Sequence, residues 1–170
     1  MRRPRTNRTE LRSEISSLLR KVAFSQTAVR LCEMEAVAPQ ERFLLRILKS
    51  EITNRDEVRH ARFLNEAVFP VYKTLDGFDF TSLKLPPVLS REELCSGAFI
   101  REKKNLVLYG SVGTGKTHLS TALGVLACGM GIRTRFFTAA ELVVRLSEAF
   151  TAGTLEKLLK SILKADLLII

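Results

Sequence analysis

Eight consecutive residues, Gly110-Ser-Val-Gly-Thr-Gly-Lys116-Thr117, constrain the fold of this chain more than anything else in it. They spell G-x-x-x-x-G-K-[S/T], and the flanking sequence supplies the context that the pattern needs. Asn105-Leu-Val-Leu-Tyr109 reads as a short, buried parallel strand, and Lys116 to about Cys128 as a helix that stops at Gly129 or Gly131. Glycines let the backbone curl so that successive N–H groups point inward at phosphate oxygens. The helix N-terminus adds its positive end. Lys116 is placed to neutralise β- and γ-phosphates as the catalytic lysine, and the Thr117 hydroxyl to ligate Mg²⁺. The candidate nucleotide-binding set is Gly110, Ser111, Val112, Gly113, Thr114, Gly115, Lys116, Thr117 and the adjoining His118, with ATP and Mg²⁺ as the implied ligands. A ligand-free glycine-rich turn is the competing reading, and the strand-to-helix context argues against it.

Around this loop the pattern predicts alternating elements. Thr134-Arg-Phe-Phe137 reads as a second strand. Thr138-Ala-Ala-Glu141 has the spacing of a capping box and opens a helix carrying Leu142, Val143, Leu146 and Phe150. Leu155–Leu163 reads as a further amphipathic helix, and Ala165–Ile170 as a third strand. Strand, helix, strand, helix, strand implies an α/β fold, a parallel sheet with crossover helices. Upstream, Ser90-Arg-Glu-Glu93 is a second capping box, and Pro70 and Pro86-Pro87 punctuate a linker anchored by Phe69, Phe78 and Phe80. From Glu10 to about Leu48 the periodicity is helical: Leu11, Ile15, Leu18, Leu19 and Val22 form one stripe. A second helix begins near Pro39, carries Phe43, Leu44, Ile47 and Leu48, and extends toward Arg55, Arg59 and Arg62. The expected organisation is a basic helical region over 1–65, a linker with a short helix over 66–100, and the start of the nucleotide-binding domain over 101–170. Tyr109 and Phe137 are expected in the core rather than stacked on a base. Phe78 and Phe80 are expected in the core too, with packing near the adenine as their alternative. His118 is expected to be a bystander donating an N–H rather than a general base, and His60 is too remote to form a metal site with it.

The net charge is +9, and +6 of it sits on the first 30 residues. Such an arm favours a polyanion by releasing condensed counterions, which makes Arg2, Arg3, Arg5, Arg8 and Arg12 candidate DNA contacts. Charge alone leaves a solvated tail equally open. Anionic lipid fits less well, because the arm lacks an apolar face. No apolar run approaches the ~18 residues of a membrane span, and no apolar segment follows the basic start as in a secretory signal. Three widely spaced cysteines, Cys32, Cys95 and Cys128, fit reduced thiols in a cytoplasmic protein.

A hydrolysing enzyme of this type also needs an acid where an apolar strand ends beside the phosphates. Leu167–Ile170 is the strand expected to carry it, and the acid is expected immediately after Ile170. Asp166 lies at the opposite end of that strand. The sequence therefore reads as the front part of a longer ATPase.

Several stretches resemble the IstB-like family of AAA+ ATPases, transposition helper proteins akin to DnaC-type helicase loaders. They are Glu41–Leu45, Ala67–Pro70, Lys73-Thr-Leu-Asp-Gly-Phe-Asp-Phe80, Asn105–Leu119, Arg135–Leu142 and Leu155–Ile170. The loop is common to many ATPases, whereas the Lys73–Phe80 box is far more distinctive. The resemblance covers about residues 40–170. It implies an ASCE-type P-loop domain that is incomplete at its C-terminus, and ATP-driven assembly as a homo-oligomer on double-stranded DNA. It also implies a DDE-type transposase as partner, in a bacterial cytoplasm and associated with the nucleoid, with no membrane role. The family's phosphate-loop residues map onto Gly110, Gly113, Gly115, Lys116 and Thr117. A helicase loader on the same scaffold, and a nucleotide-binding remnant that does not hydrolyse, are the alternatives.

Overall fold

Residues 8–81 and 83–170 are described by a computed structural model. They divide into two compact units, one ending at Val58 and the other running from Arg59 to Ile170, with the boundary inside a continuous helix.

The first unit is helical. α1 (Arg8–Lys21) buries Ile15 and Leu19, the centre of the stripe read from the sequence. Val22, Val29 of α2 (Gln26–Glu35) and Leu48 of α3 (Ala38–Ala67) complete this core. The helical stretch read as continuous from Glu10 is therefore two helices. Ala23 adopts φ +64°, and Phe24 N–H donates to Leu19 C=O while Ala23 N–H donates to Arg20 C=O, the paired bonds that close a helix end. Ser25 then caps α2 by accepting from Ala28 N–H. Pro39 falls in the first turn of α3, where its missing N–H costs nothing, and α3 passes through Arg55, Arg59 and Arg62 as expected.

The second unit is built on α6 (Lys116–Gly129), whose Leu119, Ala122, Leu123, Val125, Ala127 and Cys128 are all buried. A helix apolar on this many sides must be packed on more than one. One side meets Leu94 of α4 (Arg91–Ser96), Phe99 of α5 (Ala98–Arg101) and the 75–89 segment; another meets Phe63 and Ala67 at the end of α3. A third lies against a two-stranded parallel sheet, β1 (Thr134–Phe136) and β2 (Leu167–Ile169), in the register Thr134↔Leu167 and Phe136↔Ile169. Gly124 makes that approach possible, since a Cβ there would lie 2.6 Å from Phe69 and 2.7 Å from Ile169. The crossover from β1 to β2 runs through α7 (Ala139–Thr151) and α8 (Leu155–Ile162).

Both N-cap side chains cap their helices, but only the Ser90–Glu93 pair closes a full capping box. Ser90 and Glu93 exchange side-chain-to-backbone bonds at 3.1 and 2.8 Å. Thr138 accepts from Glu141 N–H at 3.2 Å, while the Glu141 carboxylate accepts from Arg145. α6 ends with Gly131 at φ +77°, its N–H on Cys128 C=O and that of Ile132 on Ala127 C=O.

Three expectations are corrected. Residues 105–109 do not form a strand of the sheet. They alternate as a strand does, Leu106 and Leu108 packing inward while Val107 and Tyr109 are 79% and 92% exposed. A strand is defined by its ladder, however, and among the described residues none lies beside this segment to pair with it. For the same reason Tyr109 is a surface residue, not a core aromatic; Phe137 is the core aromatic expected. Val143 and Phe150, read as part of the apolar face of α7, are exposed, and Ala149 is the buried residue of that helix.

Candidate functional site

The phosphate loop connects the extended 105–109 segment to α6. Gly110, Gly113 and Gly115 have φ of +145°, +81° and +82°, values that L side chains rarely adopt, so the loop curls only because these positions are glycine. The requirement at Gly115 is double, because a Cβ would also come within 3.3 Å of the Phe78 ring. Lys116, the first residue of α6, folds back over the loop: Nζ donates to Gly110 C=O at 2.9 Å and to Ser111 C=O at 2.7 Å. Thr114 Oγ1 closes the turn by donating to Ser111 C=O at 2.9 Å. Thr117 is exposed on the first helical turn, and Ser111, Val112 and Gly113 are exposed along the rim. All the residues read as a phosphate site from Gly110 to Thr117 are thus contiguous in space, with one ammonium group held over the curl. The unpaired N–H groups of the α6 N-terminus open onto the same place.

His118 is turned away from that face. Its Nε2 lies 3.2 Å from Thr74 C=O, and its ring meets Phe78 edge-on at a centroid distance of 5.3 Å. The Lys73–Phe80 box therefore packs against the junction of loop and helix. Phe78 and Phe80 stack edge-on at 4.9 Å against the core around Leu94 and Leu119, and Phe78 also lines the groove beside the loop. Arg91 covers the outer face of Phe80 at 4.1 Å.

Beside the loop is a groove of about 1080 Å³. Leu85, Pro86, Leu89, Leu106 and Leu108 make its wall apolar, and Gly110, Ser111, Thr114 and Lys116 form its polar end. An apolar wall running into a cationic, N–H-rich end is complementary to a nucleoside joined to a polyphosphate. Glu93 at its edge has its carboxyl held below the usual range, chiefly by the Ser90 N–H.

Asp166 precedes β2 and accepts from Arg133 N–H at 3.2 Å, a bond that pins the start of the two strands together. Of the candidate DNA contacts, Arg2, Arg3 and Arg5 lie outside the described residues. Arg8 and Arg12 are on α1 and converge on one carboxylate, Glu41, at 3.2 and 2.6 Å. Each also donates to Ala36 C=O at 3.3 Å, so the pair ties α1 to the α2–α3 turn. Glu41 is 1% exposed, and its carboxyl is held below the ordinary glutamate range first by hydrogen bonds from Arg8 and Arg12. Sequence reading missed this centre. The arginines stand 33 and 29 residues from their partner, and nothing local marks the pairing.

No helix among the described residues is long and apolar enough to cross a membrane. Cys128 is buried within α6, and burial pushes its thiol up from the ordinary range.

Comparison with known proteins gives the site its family. A protein named for ATP binding in insertion sequence IS5376 of Geobacillus stearothermophilus is 37% identical over 128 residues, 75% of this chain and 51% of that protein. One named likewise in insertion sequence IS21 of Pseudomonas aeruginosa is 36% identical over 131 residues, covering 75% of this chain and 48% of its own length. A third, an insertion-sequence ATP-binding protein of Sinorhizobium fredii, is 33% identical over 136 residues, 78% and 45% of the two chains. This chain spans about half the length of these curated relatives. The family model described as IstB-like ATP binding protein matches residues 16–170, which include the three helices of the first unit from within α1, the Lys73–Phe80 box, the phosphate loop and both strands; the chain belongs to the IstB-like ATP-binding protein family.

Proposed function

We propose that this chain is the nucleotide-binding part of a helper protein for DNA transposition, in which ATP occupancy of the Gly110–Thr117 loop controls engagement of double-stranded DNA and of a DDE-type transposase. The observation that carries the reading is the loop itself: three positive-φ glycines and the Lys116 ammonium make a cradle for a polyphosphate. The relatives, named as insertion-sequence ATP-binding proteins, supply the biological context. An AAA+ domain assembling as a homo-oligomer is the architecture proposed, on family grounds.

ATP fits the donor set. Loop N–H groups and the α6 N-terminus face the phosphates, Lys116 exchanges loop carbonyls for phosphate oxygens, and the apolar groove takes the nucleoside. Thr117, exposed on the first turn of α6, is the residue that would hold Mg²⁺. The ion would neutralise phosphate charge there. ATP hydrolysis belongs to the proposal for the whole protein.

Calorimetric titration tests the reading. Lys116→Ala is expected to abolish ATP binding at micromolar nucleotide, because the bound phosphates lose the cation held over the loop. Unchanged affinity would overturn the assignment.

A further inference from the structure

We infer that His118 and Phe78 are positioning residues of the phosphate loop, through which the Lys73–Phe80 box braces the loop–helix junction in its nucleotide-receiving shape. The inference rests on the nucleotide-binding reading above and goes beyond it, since His118 points to the Thr74 carbonyl and Phe78 packs on His118 and Gly115.

The geometry makes a closed circuit. His118 is in the first turn of α6, two residues after Lys116, and its Nε2 reaches across to Thr74 C=O at 3.2 Å. A carbonyl oxygen can only accept, so Nε2 carries the proton and the neutral ring is the Nε2–H tautomer. The Thr74 carbonyl belongs to the second residue of the box, and Phe78 N–H donates to Leu75 C=O at 3.1 Å, turning the chain back toward the helix. The Phe78 ring then lands on two members of the loop–helix joint at once, edge-on to His118 and against Gly115. Phe80 backs Phe78, and Arg91 backs Phe80. Gly115 at φ +82° is the last loop residue before the Lys116 ammonium. A ring seated against it limits how that peptide can rotate, and so where the Lys116 backbone and its neighbours' N–H groups point. The box that most sets this sequence apart from other loop-bearing ATPases is thereby the part that holds the loop.

The test measures binding of Mg²⁺ and a fluorescent N-methylanthraniloyl ATP to the wild-type chain, His118→Ala, His118→Gln and Phe78→Leu, well below each melting temperature. His118→Ala is expected to weaken binding about tenfold, the scale of one hydrogen bond removed. Glutamine places an amide N–H where Nε2–H stands, so His118→Gln is expected to recover affinity to within about twofold. Phe78→Leu, which keeps an apolar group but not the flat ring, is expected to fall between. The chain has two histidines, so ¹⁵N spectra of the imidazoles can identify His118 by its loss in His118→Ala and are expected to show the Nε2–H tautomer. Wild-type affinity in His118→Ala, no recovery in His118→Gln, or an Nδ1–H tautomer would overturn the brace. Failure of the wild-type chain itself to bind the nucleotide would instead overturn the nucleotide-binding reading.

Discussion

Glu41 shows how a single residue can decide what a charge pattern means. Its carboxylate is nearly out of solvent, and Arg8 and Arg12 supply both its charge partners and its hydrogen bonds. A buried carboxylate with such partners stays ionised, and removing either side leaves the other uncompensated. Its folded-state pKa is below the unfolded one, so this pairing stabilises the fold fully above the ordinary carboxylate range and is lost as pH falls through the folded value. Asp79, bonded by Thr81, and Glu93, bonded by Ser90, act in the same direction. Thermal melts from pH 7 downward are therefore expected to lose stability below about pH 4.3, the ordinary glutamate value. In Glu41→Gln the melt is expected to be lower at pH 7 and to depend less on acid, with the slope from Asp79 and Glu93 remaining. An acid limb identical to the wild type would show that Glu41 contributes nothing to it. The same residues mark what was legible at this scale. The curl of the Gly110–Thr117 loop could be read outright, because its glycines, lysine and threonine are neighbours in sequence. The Arg8–Arg12–Glu41 centre could not, because it is assembled by tertiary packing.

At the scale of elements, local chemistry again separates what could be read from what could not. The Ser90 and Thr138 caps and the Gly129–Gly131 stop were legible because capping residues act on the next few N–H and C=O groups. The break after α1 was not, because alanine at φ +64° carries no signal in a sequence. The 105–109 segment reads as a buried strand because it is short and apolar between polar flanks, yet pairing is a property of two segments and an apolar run reports only one. Two substitutions probe how tightly the elements are held. Val68, which follows α3, is β-branched at φ +56° and exposed. The left-handed conformation costs an L-residue roughly 1–2 kcal/mol, and glycine's greater freedom when unfolded offsets about half of that. Val68→Gly is expected to raise the melting temperature. Gly124→Ala is expected to lower it, although alanine is the better helix former. Its methyl would press on Phe69 and Ile169, and overpacking of this kind costs about 1–3 kcal/mol. Opposite signs in one set of melts would separate backbone strain from steric closeness. A stabilised Gly124→Ala would mean that the sheet and Phe69 can draw back from α6.

For the whole molecule the open question is where its positive charge acts. The first 30 residues hold +6 of a net +9, and composition treats their arginines alike. The structure divides them: Arg8 and Arg12 are held by Glu41, and Arg2, Arg3 and Arg5 precede the described residues. A cation already paired with a buried carboxylate releases few counterions on meeting DNA. If the arm is what meets DNA, Arg2, Arg3 and Arg5 are the candidates among these five arginines left to carry its salt dependence. Replacing these three by alanine is expected to weaken binding to a duplex and to flatten log K against log[salt] by up to about 2.7, roughly 0.9 for each phosphate no longer neutralised. Replacing Arg8 and Arg12 should lower the melt strongly while changing the slope little. An unchanged slope in the triple variant, with the wild-type chain still bound to DNA, would make the arm a solvated tail and place the DNA-binding surface elsewhere in the chain.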